Sequence, residues 1–127
     1  MPNRATTIDL SGAIAESAPI LLADIATPAP VWGYDGERLG FGRAVALDQG
    51  SGRPLCLLVG RGRSKRSLRP IPWAALRYDR RLSAYLADVS APVFLQGPGW
   101  SRAAGRALAC IWRAHVYYDV PYDSPAK

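Results

Sequence analysis

Turn signals recur at short intervals through the middle of this 127-residue chain, and they leave room for little besides short strands. Between Val31 and Val89 the breaks are Asp35-Gly36, Gly50-Ser51-Gly52, the stretch from Gly60 to Ser67, and the prolines Pro70 and Pro72. Runs bounded this way fit a small antiparallel barrel or sandwich. Asp35-Gly36 is the strongest two-residue hairpin signal, because glycine tolerates the positive φ such a turn requires. Leu39 to Asp48 is strand-like, and Ser83 to Val89 alternates as a half-buried strand. Leu55 to Val59 is continuously apolar, which predicts a strand buried on both faces. Leu68 to Trp73 holds two prolines and so is an edge strand at best.

A different pattern follows. Ser101 is a suitable N-cap, and Arg102 to Tyr118 contains no proline and a single glycine. On a 3.6-residue period Ala104, Ala107, Leu108, Ile111, His115 and Tyr118 share one face, opposite Arg102, Arg106 and Arg113. The expected architecture is therefore mainly β: a small, strongly bent antiparallel barrel with a C-terminal amphipathic helix. Three segments are expected: an N-terminal arm over 1–18, the barrel over 19–95, and a linker, helix and tail over 96–127.

Composition bounds the setting. Hydrophobic residues make up 49% of the chain, too many for a disordered polypeptide. No apolar run approaches the roughly 18–20 residues of a membrane span. The first residues lack the basic, apolar and cleavage regions of a secretory signal, so a cytoplasmic protein is expected. Cys56 and Cys110 both lie in apolar runs and are expected to be reduced core residues.

Catalytic chemistry finds few candidates. The single histidine, His115, stands five residues after Cys110, an offset that points the two side chains about 140° apart on a helix. They cannot share a metal there, and no CxxC or HxxxH supplies further ligands. A packed, hydrogen-bonded His115 is expected. Asp35, Glu37, Asp48, Asp79 and Asp88 fall at turns and strand ends, where local backbone hydrogen bonding is their usual employment. The glycines and hydroxyls of Gly60–Ser67 lack the Gly-Lys-Ser/Thr ending of a P-loop. No nucleophile elbow precedes a helix. No cofactor, metal or small-molecule substrate is expected.

Charge is the more informative signal. The chain carries 16 Lys and Arg against 10 Asp and Glu, 14 of the basic residues being Arg. Arg53 to Arg81 holds nine basic residues and one acid, a net of +8; the remainder holds seven and nine, a net of −2. Arg61, Arg63, Lys65, Arg66 and Arg69 thus form a candidate surface for RNA or another anionic partner. A solvated hairpin loop in an Arg-biased chain explains the same residues. Four tryptophans are many for this length, and one or two are expected under the C-terminal helix or in a subunit contact.

Three segments carry a family resemblance. They are Tyr34-Asp35-Gly36-Glu37-Arg38-Leu39-Gly40, Leu47-Asp48 with Ser51-Gly52-Arg53, and Ile71-Pro72-Trp73-Ala74-Ala75-Leu76-Arg77-Tyr78. Together with Tyr85–Val89, Ala91-Pro92-Val93-Phe94 and Trp100 leading to Tyr117-Tyr118, the chain resembles the PRC-barrel family from about Leu21 to Tyr118. That family includes the cytoplasmic domain of the photosynthetic reaction-centre H subunit, the C-terminal domain of a ribosome-maturation factor and small stand-alone bacterial proteins. The resemblance implies a barrel that binds or assembles and has no catalytic residues. Gly42 departs from it, standing where an apolar inward residue is usual, which predicts a bulge or a filled gap. The basic loop after Gly60 departs as well. A homodimer or another protein partner is expected, with Trp100, Leu108, Ile111, Trp112 and His115 as its candidate interface.

Overall fold

The structure, a computed structural model, describes residues 20–62, 67–101 and 106–122. The expected arm over 1–18 lies outside them. Six strands form one curled half-barrel sheet: β1 (Ile20–Gly33), β2 (Arg38–Asp48), β3 (Pro54–Gly60), β4 (Leu68–Pro72), β5 (Leu76–Asp79) and β6 (Ala84–Ala87). A 3-10 turn, Trp73–Ala75, joins β4 to β5. Two helices follow, α1 (Ala91–Leu95) and α2 (Ala107–Tyr117). The sheet order is β4-β3-β2-β1-β6-β5. Its pairings are antiparallel except β1 with β6, which run parallel from Val31↔Tyr85 to Gly33↔Ala87. The fold is mainly β, and among the described residues α2, near the C-terminal end, is the one helix longer than five residues.

Strand β3 is buried along six consecutive residues, Leu55–Gly60. Leu57 and Val59 join Val31, Leu39, Ile71 and Phe94 inside the curl of the sheet. Cys56 and Leu58 point the other way, Cys56 toward Ile111 and Ala114 of α2, Leu58 toward Leu68 and Trp100. A strand with apolar matter on both sides has no position for a polar residue, which accounts for its unbroken apolar run.

The prolines of β1 are explained by its pairing. β6 covers only Val31–Gly33, so over Ile20–Pro30 the second edge has no strand partner among the described residues. Pro28 falls in the irregularity between Asp24 and Ala29, and Pro30 needs no outward N–H. β4 is an edge strand, as its two prolines require, and Trp100 N donates to Leu68 O at its start.

The β1–β2 hairpin differs from the expected two-residue turn. Three residues, Tyr34–Gly36, lie between Gly33 and Glu37, closed by Gly36 N to Gly33 O (3.0 Å) and Gly33 N to Glu37 O (2.8 Å). Gly36 has φ +84°, so its role in the turn is the anticipated one. The extra residue is stabilised by Asp35, whose carboxylate accepts from Glu37 N.

Helix α2 also starts later than Ser101. Arg106 occupies its N-cap position without a side-chain cap bond, immediately after Gly105, the one glycine of the segment. Residues 102–105, with Arg102 and Ala104, lie outside the described residues. The buried face comprises Cys110, Ile111, Ala114 and His115. It is turned toward Cys110 and Ala114 from the expected one, leaving Leu108 half-buried.

Gly42 proves to be both bulge and filled gap. The β2–β3 register slips between Gly42 and Ala44, and a Cβ at Gly42 would stand 3.0 Å from the Leu57 side chain. Gly42→Val should therefore cost about 1–3 kcal/mol by overpacking. Urea denaturation would measure the loss, and adding Leu57→Ala should make the double mutant more stable than the sum of the two single costs predicts.

Candidate functional site

The carboxylates are employed in turns. Asp48, 7% exposed, accepts from Ser51 N and Ser51 Oγ, both at 2.8 Å. Asp79 accepts from Arg81 N and Leu82 N. Asp35 accepts from Ala91 N at 3.0 Å, tying the hairpin tip to the first turn of α1 across 56 residues. His115 is buried, its Nδ1 2.8 Å from Ile111 O and its ring packed edge-on against Tyr122. Among the described residues no three His, Cys, Asp or Glu side chains come together as a metal site. No helix among them is long and apolar enough to cross a membrane.

The proposed interface residues divide into two sets. Ile111 is fully buried and His115 nearly so, both spent on the contact between α2 and the sheet. Trp100 is half-buried and packs against both clusters between the sheet and α2. Trp112 is 54% exposed on the outer side, where Val116 (61%) and Tyr117 also stand. Tyr117 Oη donates to Val93 O at 2.6 Å, which joins this surface to α1 with its exposed Val93 and Leu95. Val116 and Tyr117 escaped sequence reading because one apolar face per helix is the usual pattern, and α2 carries apolar residues on two. Val93 and Leu95 belong to α1, a single turn too short to show a helical period.

The basic residues also divide. Arg69 Nη1 donates to Gly97 O at 2.6 Å, pinning the chain after α1 to β4. Arg69 thus has a structural contact through one of its guanidinium nitrogens. Arg61 is exposed, with Nη1 3.4 Å from Leu39 O. Arg63, Lys65 and Arg66 lie outside the described residues. Two arginines of β2, outside the +8 segment, join Arg61 at this end of the sheet. The Arg38 guanidinium lies 4.9 Å from the centre of the Phe41 ring, and that of Arg43 lies 6.0 Å from it. Arg43 Nη2 donates to Gly62 O, on the segment that carries Arg61. Cation–π contact offsets part of the repulsion between like charges held near one ring. The signal for this cluster is Arg38-x-x-Phe41-x-Arg43, three residues of one strand around a register slip.

No family model matches the chain, and no curated protein matches it.

The two thiols are buried and free. Burial, with a smaller contribution from nearby Cys110, pushes the Cys56 thiol up to about 12. The thiolate is the reactive form, so Cys56 stays protonated and inert well above neutral pH. Ellman's reagent at about pH 8 should find no reactive thiol in the folded protein and two after unfolding in guanidinium chloride.

Proposed function

We propose that this protein is a non-enzymatic protein-binding or assembly module of the PRC-barrel type, acting as a homodimer. The carrying observation is the apolar outer surface of α2 and α1, with Trp112, Val116, Tyr117, Val93 and Leu95 exposed after the inner face of α2 is already packed. Exposed large apolar residues on two helices joined by the Tyr117–Val93 hydrogen bond are the kind of surface that serves interaction. Aromatic side chains are the residues that most often anchor protein interfaces. In a two-fold dimer the same patch serves both partners, so a single exposed helix face is sufficient. The resemblance of the turn segments to those of PRC-barrel proteins, and the half-barrel on which they sit, support the same reading. The surface is α2 and α1 outward, with Arg113 beside Trp112.

Light scattering on the purified protein at micromolar concentration should give twice the chain mass. Trp112→Glu with Val116→Glu should give the monomer while changing unfolding stability per chain little, by about 0.5 kcal/mol or less for each exposed site. A monomeric wild-type protein would refute the dimer.

A further inference from the structure

We infer that the outer face of the β5–β6–β1–β2 quarter of the sheet binds single-stranded nucleic acid. Four residues lie in register across four strands: Arg77 opposite Leu86, Leu86 opposite Trp32, and Trp32 opposite Arg38. Residues directly opposite one another share a face of the sheet. At about 4.8 Å per strand the row spans about 14 Å, with an indole and a leucine between two guanidinium groups. A groove of about 660 Å³ opens over Trp32, Leu86 and Arg77. Tyr34 and Gly36 of the hairpin line it, as do Ala74 and Ala75 of the 3-10 turn.

At the Arg38 end the row meets the Phe41 cluster, where Arg43 and Arg61 add two further cations. Arg43 and Arg61 donate to backbone carbonyls, those of Gly62 and Leu39, and Arg38 and Arg77 are exposed. Four guanidinium groups around a groove whose lining holds one carboxylate, Asp88, favour a polyanion.

The aromatic residues decide which polyanion. Trp32 is half-buried in the groove and Tyr34 is 70% exposed at its rim. An indole and a phenol flanked by arginines form the arrangement on which bases stack while their phosphates meet guanidinium groups. Stacking needs an unpaired base, which favours a single strand over a duplex. An acidic peptide would satisfy the arginines but leave the ring faces unused. Asp88, also lining the groove, repels phosphate. The phosphates therefore lie over Arg38 and Arg77, with a base over Trp32. This inference does not depend on the dimer.

The test is fluorescence anisotropy with labelled oligo(U) and oligo(dT), a labelled duplex, and an oligo-glutamate competitor. Expected is single-strand binding that weakens with salt, with a log–log slope of about −1.4 for the two phosphate contacts at Arg38 and Arg77. Arg38→Ala with Arg77→Ala should weaken it about tenfold, with an unchanged unfolding midpoint, since both side chains are exposed. Trp32→Ala should weaken it about tenfold, whereas Trp32→Phe, which keeps a stacking ring, should bind within about threefold of wild type. Three results would each overturn the inference: no binding at low salt, equal competition by oligo-glutamate, or binding unchanged by Arg38→Ala with Arg77→Ala but abolished by neutralising Arg63, Lys65 and Arg66.

Discussion

Strand β3 has no polar side, and the rest of the molecule is arranged around that fact. Leu57 and Val59 need a hydrophobic interior on one side, which the curl of the sheet supplies with Leu39, Ile71 and Phe94. Cys56 and Leu58 need a cover on the other, which α2 and Trp100 supply. A flat sheet would leave one of these faces in water, at a cost of about 1.5–3 kcal/mol for each large apolar side chain. The two halves of the fold are thus both obligatory. With its inner face committed, α2 leaves Trp112 and Val116 outside.

The same constraint explains the glycine of β2. Leu57 fills the space that a side chain at position 42 would take, and the neighbouring slip in register absorbs the misfit. Bulges re-aim side chains as well as bending strands. Arg43, the residue in the slip, comes to rest near the Phe41 ring beside Arg38.

Much of the scaffold was legible in the residues. The unbroken Leu55–Val59 run told of a doubly covered strand, Pro70 and Pro72 of an edge, and Asp48-x-x-Ser51-Gly52 of a turn held by its own carboxylate. Less legible was β1, whose Pro28 and Pro30 suggest a loop. They are tolerated because β6 pairs with only its last three residues, a long-range fact with no local signature. The start of α2 was hidden too, since Ser101 is a better cap by chemistry than Arg106. The candidate surfaces were half visible. Counting charge by segment finds the basic loop, yet assigns Arg38 and Arg43 to the acidic remainder. Only strand pairing brings Arg38, Trp32, Leu86 and Arg77 into one line.

Asp35 gives the hairpin a second office. Its carboxylate holds Ala91 N, α1 presents Val93 O to the hydroxyl of Tyr117, and Tyr117 stands on the outer face of α2. The rim of the groove and the apolar helix surface are consequently joined through two hydrogen bonds and one short helix. A displacement of Tyr34 or Asp35 loads those bonds from one end, and a reorientation of α1 loads them from the other. The hairpin tip and the outer face of α2 are in this way both tied to the same short helix.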